Sequence, residues 1–211
     1  MDLLFPLASV SPGLDSAALT VLAGADTAMS ATQIQRVAGR GSRYGLVLVL
    51  ERLTEHGLVL AIPAARGNLY QLNRDHVLAP FIESIVTART MVYDRVADMS
   101  QCLIPTPNSV AIFGSVARGD ATAESDLDLL IIASDTIDVE DETWVNQINA
   151  LEQQARVWTG NSIQVSTVTS RQLMSMVRAG APIVDEWERD VKTIMGEDAR
   201  SLIRAARKEV L

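Results

Sequence analysis

The spacing of apolar positions changes along the chain, and each change marks a new element. Leu14 to Leu22, entered through Ser11-Pro12-Gly13 and stopped near Gly24, reads as a helix. Ser30 caps a second helix, Ala31 to Ala38, which Gly39 ends. Ser42 caps a third, running to about His56, with Leu46, Val49, Leu50 and Leu53 as its apolar stripe and Arg43 and Arg52 off it. The period then falls to two: Leu58–Ile62 and Asn68–Leu72, joined through Pro63 to Gly67, predict a hairpin. Phe81, Ile82, Ile85, Val86, Val92, Val96 and Met99 return to helical spacing and predict one connecting helix from Pro80 to about Met99, packed as core. Pro105-Thr106-Pro107-Asn108 breaks it.

Beyond that break, Val110–Phe113 and Leu129–Ile132 are continuous apolar runs of the kind that form buried strands. Asp135 to Glu142 is an acidic helix entry, complementing the positive end of the dipole. Trp144, Ile148, Leu151, Ala155 and Trp158 trace the buried stripe of the helix, which Thr159-Gly160-Asn161 ends. Ser162 to Thr169 alternates, Ile163 and Val165 on one face, Ser162, Gln164 and Ser166 on the other. Ser170 opens a helix, Pro182 another around Trp187, Val191 to Met195 reads as a last strand, and Ala199 to Lys208 as a closing helix. The fold class is α+β, with a mixed sheet and flanking helices in the C-terminal half.

Between the two apolar strands stands Gly114-Ser115-Val116-Ala117-Arg118-Gly119-Asp120, followed by Ser125-Asp126-Leu127-Asp128. Carboxylates two residues apart on a strand share a face and repel; a cation relieves this, and paired oxygen ligands suit Mg²⁺ shared with a phosphate. Gly114 permits close backbone approach, and Ser115 with the free N–H groups of a helix start offers donors to a phosphate. The plainer alternative is an acidic turn that caps a helix in solvent.

These residues resemble the signature of minimal nucleotidyltransferases of the polymerase-beta superfamily. The resemblance implies transfer of a nucleoside monophosphate from an NTP, ATP first among candidates, to a hydroxyl of a protein or small molecule. It makes Asp126 and Asp128 the catalytic, metal-binding pair for Mg²⁺, with Mn²⁺ as a substitute. Gly114, Ser115, Arg118 and Ser125 become nucleotide-binding, although Arg118 also suits a structural salt bridge. The family commonly supplies a third carboxylate from the later strand, where this chain has Gln164; no Asp or Glu occurs from Thr159 to Gln172. An amide can ligate weakly but takes no proton. Glu124 or Asp120 remain as replacements from the loop.

The N-terminal succession of three helices and a hairpin resembles a winged helix-turn-helix. That implies DNA contact by Ser42, Arg43 and Tyr44 at the start of the third helix, by Arg36 and Arg40 on phosphates, and by Arg66 at the wing tip. A protein-binding or dimerising winged helix is the alternative. The domains follow as 1–78 winged helix, 79–104 connecting helix and linker, and 105–211 nucleotidyltransferase-like. The connecting helix also leaves a homodimer open.

Composition adds little to this but limits it. An apolar content of 48% over 211 residues suffices for real cores. The net charge of −8 falls entirely in residues 81–211, since residues 1–80 balance six arginines against six carboxylates. A nucleic-acid partner is therefore expected at the N-terminal part. The N-terminus lacks the basic start of a secretory signal, and no run approaches the ~18 apolar residues of a membrane span. A cytoplasmic protein without membrane contact is expected. The single Cys102 is expected to be buried, and His56 and His76 to be helix-end or loop residues. Two function classes stand: an active transferase with a winged helix, and a catalytically impaired, nucleotide-sensing transcriptional regulator using the same pocket.

Overall fold

A computed structural model describes residues 1–210. The chain forms two compact units, Asp2–Arg89 and Thr90 onward with Met1.

In the first unit a short 3-10 turn, Pro6–Ser9, precedes α1 (Leu14–Ala23), β1 (Met29–Ser30), α2 (Ala31–Ala38), α3 (Arg43–Glu55), β2 (Val59–Ala64), β3 (Gly67–Leu72) and α4 (Ala79–Val86). The caps are those the sequence predicts. The Ser30 hydroxyl accepts from the Gln33 amide while the Gln33 side chain accepts from that of Ser30, and Gly39 ends α2 in the left-handed conformation. Ser42 accepts from the Gly45 amide at the start of α3, and His56 stands at its end. The three strands lie antiparallel in the order β1-β3-β2. The two-residue β1 has no periodic signature and exists by pairing Met29 with Tyr70 and Ser30 with Leu69. Ile34, Leu46, Leu50 and Leu72 form the centre of the core.

The connecting helix expected over Pro80 to Met99 is two helices, α4 and α5 (Ala88–Gln101). Thr87 interrupts the run: its hydroxyl donates to the carbonyls of Glu83 and Ser84, a local bond that competes with helix continuation. Adjacent positions of α4 point in different directions around the helix, so Ile82 packs inward while Phe81, expected in the core, is 66% exposed. Cys102 also departs from expectation. It follows the last residue of α5 and is exposed, with its thiol against the Asp98 carbonyl at 3.5 Å.

The second unit continues with β4 (Ser109–Phe113), α6 (Gly114–Arg118), β5 (Leu127–Ala133), α7 (Glu142–Thr159), β6 (Ile163–Thr169), α8 (Ser170–Arg178), α9 (Pro182–Asp190), β7 (Lys192–Gly196) and α10 (Ala199–Val210). Its sheet runs β6-β5-β4-β7. β4 is antiparallel to both neighbours, and β5 pairs parallel with β6, the two joined through α7. Asp141 caps α7 by accepting from the Thr143 and Trp144 amides. α8 opens at Ser170 as expected, and the residue before it, Thr169, is its N-cap, closing a capping box with Gln172.

Alternation along β5 positions the site. Leu130 and Ile132 share a face and pack with Ala111, Phe113 and Val168 beneath Leu173, Trp187 and Ile203 of α8, α9 and α10. Asp128 continues the same face toward the start of the strand and is half-buried. Among the described residues no helix is long and apolar enough to cross a membrane.

Candidate functional site

β4 delivers the chain to Gly114 at the edge of this face. Phe113 pairs with Asp128 across the ladder, so the next residue bends over the Asp128 carboxylate. Gly114 has φ +68°, and a Cβ there would lie 2.2 Å from Asp128 Oδ2. Glycine is thus required twice, for its left-handed backbone and for the volume the carboxylate fills. α6 is a single turn of five residues, ended by Gly119. The Ser115 side chain is partly exposed beside it.

Asp126 lies one residue before β5, separated from Asp128 by the fully buried Leu127. Burial, and then the neighbouring charge of Asp126, push the Asp128 carboxyl above its ordinary range, while the Arg118 charge pulls the other way. Such a pair suits a divalent cation that removes the repulsion. On β6, Gln164 registers opposite Asp128, and its amide Nε2 donates to Asp126 Oδ2 at 3.0 Å on the exposed side. The structure therefore brings Gly114, Asp126, Asp128 and Gln164 together. Among the described residues no cluster of three or more acidic, histidine or cysteine side chains forms a metal site. Asp120, one candidate for the missing base, instead receives Arg118 Nε at 3.1 Å, and Glu124 is exposed in the loop.

Ser125 is built into that loop. Its hydroxyl accepts from the Thr122 amide at 2.8 Å, and its carbonyl accepts from Asn161 Nδ2 at 3.0 Å. Asn161 is buried just past α7 and also reaches the Ala123 carbonyl, which ties the aspartate loop to the turn before β6. The sequence marks Asn161 only as a helix-stop residue. Arg118 Nη1 donates to Asp190 Oδ2 at 2.8 Å, and Asp190 is also held by Arg189. Asp190 carries no signal in the sequence, which reads this stretch only as a helix around Trp187. Its carboxyl lies below the ordinary range because of the Arg189 and Arg118 hydrogen bonds.

A depressed carboxyl contributes stability that is present above its unfolded pKa and lost as pH falls through the folded value. Wild type is therefore expected to lose melting temperature below about pH 4 more steeply than Asp190→Asn. Thermal melts between pH 2.5 and 6 check this, and parallel curves contradict it.

Of the residues assigned to DNA, Arg36, Arg43, Tyr44 and Arg66 are exposed. Arg40 is not free in the same way. Its guanidinium lies over the Phe5 ring at 5.0 Å, with Nε and Nη2 buried and without a hydrogen-bond partner among the described residues. The Ser42 hydroxyl is occupied by its capping bond. Arg52 pairs with Asp15, and Arg74 with Glu83.

No curated protein matches the chain. Two solved structures overlap it in part. A toxin–antitoxin crystal structure with AMP-PNP has a TM-score of 0.41 and 16% identity, covering 56% of this chain and 82% of that one. A toxin–antitoxin MntA–HpeT mutant has a TM-score of 0.39 and 14% identity, over the same shares. Residues 94–170, from within α5 to the first residue of α8, match the family model of the nucleotidyltransferase domain.

Proposed function

We propose that the second unit transfers a nucleoside monophosphate from an NTP, ATP first, to a hydroxyl of a protein or small molecule. The observation that carries this reading is the close fit of Asp128 against Gly114, with Asp126 beside it, inside the matched stretch. Asp126 and Asp128 hold Mg²⁺ or Mn²⁺, which when bound neutralises phosphate charge. Gly114 leaves room for the Asp128 carboxylate, Ser115 offers the phosphates a hydroxyl, and Arg118 supplies planar charged donors. Gln164 can orient an acceptor hydroxyl but cannot take its proton, so turnover is slowed by ~10²–10⁴-fold against a site with a base. Incubation with each labelled NTP and Mg²⁺ tests the reading: label transfer and pyrophosphate release support it. Saturable nucleotide binding with neither supports the second reading, a cytoplasmic nucleotide-sensing regulator, which the neutral Gln164 favours.

We propose further that the first unit is a winged helix that meets DNA through Arg36, Arg43 and Arg66, α3 being the recognition helix. The free positive charge of α3 is Arg43 in its first turn, since Arg52 is paired with Asp15; Tyr44, 73% exposed, Leu48 and Glu51 lie between them. That outer face favours a protein contact as the alternative. Arg43→Ala and Arg66→Ala are each expected to weaken duplex binding several-fold and to reduce its salt slope by about one. Gel shifts at graded salt measure this; no shift of any duplex supports the protein contact.

A further inference from the structure

We infer that Asp190 is a positioning residue: from the end of α9 it fixes the Arg118 guanidinium at the edge of the Gly114–Asp128 site, ready for the phosphates of a nucleotide. This rests on the nucleotide-binding reading above and extends it to a residue outside the matched stretch, which ends at residue 170.

The Asp190 side chain is 2% exposed, and a buried carboxylate is strongly unfavourable unless paired. Arg189, the adjacent residue, already pairs with it through Nε at 2.7 Å and Nη2 at 3.0 Å. One guanidinium holding both oxygens is enough to neutralise one carboxylate. Arg118 comes from another element, 72 residues away, and adds a second positive charge that neutralisation does not require. What the second contact achieves is a fixed place for Arg118. Nη1 is held by Asp190 and Nε by Asp120, leaving Nη2 without a hydrogen-bond partner among the described residues on a side chain that is 38% exposed. Its charge reaches Asp128.

The support behind Asp190 is also rigid. Arg200 of α10 donates to the carbonyls of Glu188, Arg189 and Val191, capping the last turn of α9 on both sides of Asp190. A planar donor held in advance loses little freedom when it meets phosphate oxygens, so its binding energy is not spent on ordering the side chain. A purely structural pin between α6 and α9 would explain the ion pair but would be indifferent to how many phosphates a nucleotide carries.

The experiment compares dissociation constants of ATP, ADP and AMP, with Mg²⁺, for the full chain as wild type, Asp190→Asn, Arg118→Ala and the double variant. Each single change is expected to weaken ATP binding about tenfold and AMP binding less than about twofold. The double variant should bind ATP no more weakly than Arg118→Ala alone, because both changes remove the same contact. A folded Asp190→Asn that keeps the wild-type ATP-to-AMP ratio overturns the inference while leaving the nucleotide reading intact. Additive losses in the double variant overturn it too. Wild type that binds no nucleotide removes the nucleotide reading itself. Where Asp190→Asn does not fold, Asp190→Glu keeps the charge but displaces the acceptor by one methylene: a smaller loss confined to ATP and ADP supports the inference, and an unchanged ratio overturns it.

Discussion

Asp126→Asn together with Asp128→Asn is expected to reduce nucleotide affinity in Mg²⁺ to the value measured in EDTA, with the fold retained. The two carboxylates are half-buried on one face, and Asp128 is already strained toward protonation by burial and by Asp126. Removing both charges removes the cation site and the repulsion together. The metal-free protein should therefore melt about 1–2 °C higher, a small rise because the pair is partly solvated. Leu127, Leu129 and Leu130 carry the packing of this strand and are unchanged, so unfolding is not expected. Metal-dependent affinity that survives in the double variant would place the nucleotide elsewhere.

Gln164→Asp is expected to act in the opposite direction on activity. Gln164 sits opposite Asp128 and donates to Asp126, so a carboxylate there would complete a three-carboxylate cluster. Pyrophosphate release at saturating NTP and Mg²⁺ should rise by about 10²-fold if the missing proton acceptor limits the wild type. Without metal the same variant should be less stable, since three like charges then crowd one face. Turnover that stays flat or falls would mean that the wild type draws its base from elsewhere, with Glu124 a candidate in the loop.

The parts of this molecule legible in the sequence are those governed by local rules. Ser30, Ser42, Gly39 and Gly160 announce helix ends because capping is decided within four residues. The shared face of Asp126 and Asp128 follows from strand alternation alone, whereas Gln164 meets them only through the parallel register of β6 on β5. Other features depend on partners far away in the chain. β1 exists only through β3, and Asp190 is buried only because Arg118 and Arg189 meet it there. Spacing and composition point Phe81 and Cys102 inward, whereas Phe81 lies on the outer side of α4 and Cys102 past the end of α5, and both are exposed. Arg40 looked like a phosphate contact by charge alone, and the Phe5 ring claims its face.

The strand order gives the two halves of the site unequal support. β4 and β5 are paired on both sides and buried along almost their whole length, so Gly114 and Asp128 stand on the best-protected backbone of the unit. β6 is an edge strand, joined to the sheet by one parallel ladder, and it bears Gln164 on its exposed side. Local opening draws first on elements with few neighbours, so amide exchange along β6 should outpace that of the two central strands. In the proposed reading the phosphate side is thereby anchored to a rigid frame, and the acceptor side rests on the compliant margin, where a different residue at 164 disturbs the least of the fold.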